Sequence, residues 1–108
     1  MIKIIKKQNG LFDIVLDETV IGGGSMIVAE TEEDFNYLER LDIDEEHRGQ
    51  GHGTKALYEL LDVYGGYYLT PDNENAKRLY EKVCDEINDT EYDKFGFAID
   101  NGYGVYKF

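Results

Sequence analysis

A chain of 108 residues can bury one hydrophobic core and is read as a single domain over 1–108. Its formal charge of −12 opposes direct binding to nucleic acid, which is driven by neutralising phosphates. Abundant tyrosine and a single proline oppose disorder, no apolar run suits a membrane helix, and no signal-peptide profile opens the sequence.

The lone Cys84 cannot form an internal disulfide, which suits the cytoplasm. Ile2 to Lys7 reads as a short strand with lysines on its solvent side or edge. Asn9-Gly10 is a two-residue hairpin signal, and Leu11 to Leu16 is the partner strand. Asp17-Glu18 makes a second turn. Thr19 to Ile21 and Ser25 to Ala29 are strand material interrupted by Gly22-Gly23-Gly24. That triplet reads as a bulge, a wide turn, or a place where a substrate meets bare backbone. Thr31 to Asp34 is a solvated acidic turn, and Asn36 to Asp44 is the next strand.

That strand runs into Arg48-Gly49-Gln50-Gly51-His52-Gly53, and then into an amphipathic helix from Thr54 to Tyr64. Glycine on alternate positions lets the backbone turn sharply and lets a ligand touch its amides. Those amides open a helix, where free N–H groups and the helix dipole favour an anion such as a phosphate. Arg48 adds a fixed positive charge. The order Thr54-Lys55 is wrong for a Walker loop, and the glycine spacing is one residue short of a dinucleotide fingerprint. Charge follows the same map: residues 1–47 carry net −8, residues 48–83 are neutral, and residues 84–108 carry −4.

In the helix, Ala56, Leu57, Leu60, Leu61 and Tyr64 share one face, and Gly65-Gly66 ends it. Tyr67 to Thr70 is a short strand closed by Pro71. Asp72 or Asn73 caps a second helix with the stripe Ala76, Leu79, Tyr80, Val83 and Ile87. Cys84 follows that stripe and reads as a structural thiol. Lys94 to Ile99 and Tyr103 to Phe108 flank Asp100-Asn101-Gly102 as a last hairpin. The sum is an α+β (mixed α/β) fold: a mainly antiparallel central sheet, two helices and one β-α-β crossover carrying the glycine loop.

Two motifs stand in order on suitable elements, the glycine loop and Asn73-Glu-Asn-Ala76-Lys-Arg-Leu79-Tyr80-Glu-Lys82. Together they resemble the pyrophosphate loop and helix signature of GNAT-type N-acetyltransferases, over roughly residues 36 to 83. The resemblance implies acetyl-CoA as cofactor. Ile43, with Leu41 on the same strand, would hold its pantetheine arm; Arg48, Gly49, Gln50, Gly51, His52, Gly53 and Thr54 would hold its pyrophosphate. Asn73 would contact the pantetheine region, and Tyr80 would stand near the sulfur and protonate it.

An amine acceptor must lose a proton, since a lysine-like amine has a pKa of about 10.4 in water. Glu39, taken to share the strand face of Leu41 and Ile43, is the candidate base, with Asp42 second. An N–H of the strand near Ile43 is placed to polarise the thioester carbonyl. The departures from the family pattern are specific. Its helix pair between the first two strands is replaced by Asn9-Gly10, its Gly-Phe after the second helix is missing unless Gly96-Phe97 stands in for it, and His52 occupies a commonly apolar position. An open acceptor side points to a macromolecular acceptor, such as a basic polypeptide, or to completion by a second subunit in a homodimer. Two functions follow: an N-acetyltransferase for a cationic amine or lysine-containing polypeptide, or a non-catalytic acidic module of the same fold that binds a basic partner.

Overall fold

The structure, a computed structural model, describes residues 1–32, 34–86 and 105–108. Two compact units divide the chain, Met1–Tyr67 and Tyr68–Phe108.

In the first unit, strands β1 (Ile2–Lys6), β2 (Leu11–Leu16), β3 (Thr19–Ile27) and β4 (Asn36–Ile43) form an antiparallel meander. The first two are joined by a 3₁₀ turn over Gln8–Gly10, closed by the Lys7 N–H on the Leu11 carbonyl at 2.8 Å. The loop is therefore three residues long, one more than the Asn9-Gly10 signal predicts, although both of those residues do adopt positive φ. Asp17 and Glu18 turn the chain into β3, also at positive φ. The N-terminal ammonium donates to Asp17 at 2.7 Å and holds its carboxyl below the usual range.

The glycine triplet is not a turn. β3 runs straight through it, with Gly22, Gly23 and Gly24 paired to β2 on one side and β4 on the other. A Cβ at Gly22 would strike the Asp42 carbonyl, and one at Gly24 would strike the Arg40 carbonyl and the Phe12 ring. At Gly23 it would lie 2.8 Å from the Phe12 carbonyl oxygen. The triplet thus brings three strands together over a buried ring, and the register shifts on both flanks of it.

Helix α1 (His52–Tyr64) packs on β1 and β4. Ala56, Leu57 and Leu60 are fully buried, as the helical stripe requires, and Ile2, Phe12, Ile14, Ile21, Met26 and Leu38 are the buried hydrophobic residues of the four strands. Gly65, at φ 78°, ends the helix and donates its N–H to the Leu61 carbonyl. Asn36 then ties three segments together. Its Oδ1 accepts from the Ala29 N–H at 2.9 Å, and its Nδ2 donates to the Tyr64 and Gly66 carbonyls.

The Tyr67 hydroxyl donates to the Leu57 carbonyl at 2.7 Å inside this core. Tyr67→Phe keeps the ring and loses that bond. It is expected to cost about 1–1.5 kcal/mol, or roughly 4–8 °C in Tm, by thermal denaturation.

In the second unit, β5 (Tyr67–Leu69, beginning on the last residue of the first unit) and β6 (Asp85–Glu86) each pair antiparallel with β7 (Tyr106–Lys107). Helix α2 (Glu74–Val83) lies between β5 and β6 in the chain. Pro71, Tyr80, Cys84, Val105 and Tyr106 are buried. The predicted apolar stripe extends to Ile87, but the helix stops at Val83. Cys84 is extended, and the next two residues enter a ladder with β7. Local periodicity lost there to strand pairing. Ile87, Gly96-Phe97 and the hairpin over Lys94 to Ile99 and Asp100-Asn101-Gly102 lie outside the described residues.

The architecture of the described residues is α+β with mainly antiparallel strands and two α-helices, as expected. No helix of the described residues is long and apolar enough to cross a membrane.

Candidate functional site

Strand β4 supplies the first part of the site. Asp44 donates its N–H to the Ile21 carbonyl at 2.7 Å, so the alternate N–H groups of Asp42 and Arg40 also turn toward β3. By the same alternation the N–H and C=O groups of Leu41 and Ile43 turn to the other edge of β4. Both side chains are half-buried.

Glu39 does not share their face. Ser25 pairs with Arg40 and Met26 with Leu38, which leaves Glu39 as an extra residue in the ladder. This bulge breaks the two-residue alternation: Leu38 is buried, and Glu39 and Arg40 are both exposed. Glu39 accepts a hydrogen bond from Ser25 Oγ at 2.9 Å, which sets it on the face of Arg40 and Asp42. Asp42 is held there by Arg40 Nη1 at 2.7 Å.

The glycine loop follows. A 3₁₀ turn over Glu45–His47 leads to Arg48, whose Nε donates to the Ile43 carbonyl at 2.7 Å and pins the loop to the end of β4. Gly49 and Gly51 adopt φ of 77° and 82°, a left-handed backbone that other residues enter only with strain. Gly51 is the N-cap of α1, so no side chain caps that helix. The helix begins at His52, two residues before the predicted Thr54, and its first turn spans Gly53 and Thr54. Its leading N–H groups have no intrahelical acceptor.

A phosphate-bearing cofactor fits this loop. A Cβ built at Gly49 or Gly51 meets nothing within 4 Å, so the loop is not crowded at either glycine. Gln50 folds back, its Nε2 donating to the Glu46 carbonyl at 3.4 Å. An open cleft of about 490 Å³ lined by Asp44, Glu45 and Glu46 borders the other end of the loop. Its carboxylates would repel a phosphate, so the helix end is the part of the loop suited to an anion.

His52 is 8% exposed, and neither ring nitrogen has a hydrogen-bond partner among the described residues. Its ring lies 6.4 Å from that of His47. Only its backbone N–H lies at the open end of the helix.

The second motif lies in the other unit. Asn73 caps α2, its Oδ1 accepting from the Ala76 N–H at 2.9 Å. That confirms the capping reading and leaves the side-chain amide as a donor. Tyr80 is 7% exposed, the only fully buried residue of the helix, with its ring edge-on to Tyr106 at 6.3 Å. Cys84 is 9% exposed, and burial, helped by the Asp85 carboxylate, pushes its thiol up to about 12. It is a structural thiol and not a nucleophile.

Sequence reasoning missed Ser25 and Asn36. Each acts through a contact with a distant part of the chain that no local pattern announces.

Comparison with known proteins places this geometry. Among curated proteins, no sequence matches the chain. Several solved structures share its fold. AtaTR bound with acetyl-CoA is similar at 18% identity and a TM-score of 0.62, over 91% of this chain and 65% of that one. The Bacillus subtilis N-acetyltransferase YlbP in complex with coenzyme A is similar at 10% identity and a TM-score of 0.61, over 92% and 66%. Arabidopsis thaliana Naa50 in complex with the bisubstrate analogue CoA-Ac-MVNAL is similar at 18% identity and a TM-score of 0.57, over 90% and 69%. The chain thus spans less than two thirds of the length of AtaTR. The sequence profile of the Acetyltransferase (GNAT) family matches residues 3–85, which carry the β4 edge, the glycine loop and the Asn73–Tyr80 helix, and the chain belongs to that family.

Proposed function

We propose that this protein is an acetyl-CoA-dependent N-acetyltransferase for a cationic amine, either a small polyamine or a lysine in a basic polypeptide. One observation carries the reading. The left-handed glycines of the loop lead into a helix N-terminus with no side-chain cap, next to the end of β4, where the Leu41 and Ile43 N–H groups turn away from β3. Family membership and the cofactor-bound relatives support it.

Bound acetyl-CoA would supply the acetyl group as a thioester. The N–H groups of Gly49 to Thr54 and the Arg48 guanidinium hold its pyrophosphate. Leu41 offers its backbone N–H and C=O, and Ile43 its N–H, to the pantetheine amides in the manner of an added strand, the Ile43 carbonyl being held by Arg48, and Asn73 offers its side-chain amide to the same arm. An N–H near Ile43 polarises the thioester carbonyl. Glu39, or Asp42 on the same face, takes the proton from the acceptor ammonium. The Tyr80 hydroxyl gives a proton to the departing sulfur.

The acceptor class follows from charge. The glycine loop lies in the neutral 48–83 stretch, and the acidic excess lies on both sides of it in sequence. Screening acts over about 8 Å at physiological salt, so loop amides and Arg48 outweigh distant carboxylates for the anionic cofactor. The acidic remainder draws a cationic acceptor.

The test is thiol release from acetyl-CoA over a panel of amines and peptides, across a salt series. Polyamines and basic peptides are expected to be the best acceptors, with kcat/KM falling steeply as salt rises and acetyl-CoA affinity flat or slightly improved. Preference for an acidic acceptor, or salt-independent acceptor kinetics, would overturn the acceptor assignment. A protein that binds acetyl-CoA and releases no thiol with any amine would instead be a binding module for a basic partner.

A further inference from the structure

Ser25 is a buried polar residue in the middle of β3, 8% exposed, between Gly24, which has no room for a side chain, and the buried Met26. Its backbone is fixed in a ladder on both sides, opposite Leu11 and Arg40. Its Oγ lies 2.9 Å from Glu39 Oε1. An ionised carboxylate only accepts, so the serine must donate. Glu39 itself is exposed and sits on a bulge, a feature that re-aims a side chain but does not hold it. A glutamate free at three torsions loses most of its time to unproductive rotamers. The buried hydroxyl restricts one carboxylate oxygen and leaves Oε2 for a proton.

We propose that Ser25 is the positioning residue for Glu39, a rigid donor that fixes the carboxylate of the proton acceptor at the bulge. The proposal rests on Glu39 being the base in the acetyl transfer proposed above. Ser25 touches neither cofactor nor acceptor in this role and acts only through Glu39.

A double-mutant cycle tests it. Ser25→Ala is expected to lower kcat about tenfold, with the KM for acetyl-CoA unchanged, and Ser25→Thr, which keeps a hydroxyl, to restore most of it. Glu39→Gln is expected to lower kcat about 100-fold, the low end for a lost general base. In that background Ser25→Ala should cause no further loss. An equal tenfold loss in both backgrounds would make Ser25 a packing residue and overturn the proposal.

Failure of the underlying reading looks different. If Glu39→Gln leaves kcat intact, the base is elsewhere and the proposal falls with it. If no amine is turned over, the 13C chemical shift of the Glu39 carboxyl still decides on positioning. It should move in folded Ser25→Ala and stay near the parental value in Ser25→Thr. An unmoved signal in the alanine variant overturns the positioning itself.

Discussion

Gly51→Val is expected to reduce acetyl-CoA affinity by at least about 100-fold, a loss near 3 kcal/mol, in a protein that still folds. Gly51 sits at φ 82° as the N-cap of α1, where a β-branched residue is a steric outlier. Forcing valine there costs about 1–3 kcal/mol of strain. That is a fraction of the 5–15 kcal/mol of a typical domain. The new Cβ enters open space, with nothing within 4 Å beyond its chain neighbours. It stands in the space proposed for the pyrophosphate, in front of the N–H groups of His52 and Gly53. Circular dichroism should show a native spectrum, and calorimetry should show no binding. Near-parental affinity in the folded variant would remove the loop from the site.

The loop could be read in the sequence because everything it needs is local. Alternate glycines, an arginine ahead of them and a helix behind them all fall within a dozen residues. The stripe of α1 and the Gly65 stop were legible for the same reason, since helix periodicity and a left-handed cap are short-range signals. What the sequence hid depends on pairing between segments far apart in the chain. Gly22-Gly23-Gly24 reads as a break in β3 until β2 and β4 close on it from both sides, with Phe12 beneath Gly24. Glu39 reads as a neighbour of Leu41 and Ile43 until the ladder with β3 skips one residue and turns it to the opposite face. The end of α2 at Val83 is set by β7, more than twenty residues downstream, and no periodicity within the helix reports it.

Tyr80→Phe should lower kcat by about 10²–10⁴-fold, the usual contribution of a positioned proton donor. The substitution removes one hydroxyl and keeps the ring. Tyr80 is buried in α2, with its ring edge-on to Tyr106, and phenylalanine preserves that contact. Helix α2 also keeps its Asn73 cap and its Cys84 N–H bond to the Tyr80 carbonyl, neither of which involves the phenol. Stability should therefore change by no more than about 0.5–1.5 kcal/mol, the net worth of one hydrogen bond. Affinity for acetyl-CoA should hold, because the loop proposed for the pyrophosphate is built from other residues. The combination discriminates between the two roles open to a buried tyrosine. A core residue moves the melting temperature and spares kcat; an acid does the reverse. Steady-state rates with the best amine of the panel, set beside thermal melts and acetyl-CoA titrations of the same sample, separate them. A parental kcat with a lowered Tm would return Tyr80 to the core and leave the departing thiolate to take its proton from solvent.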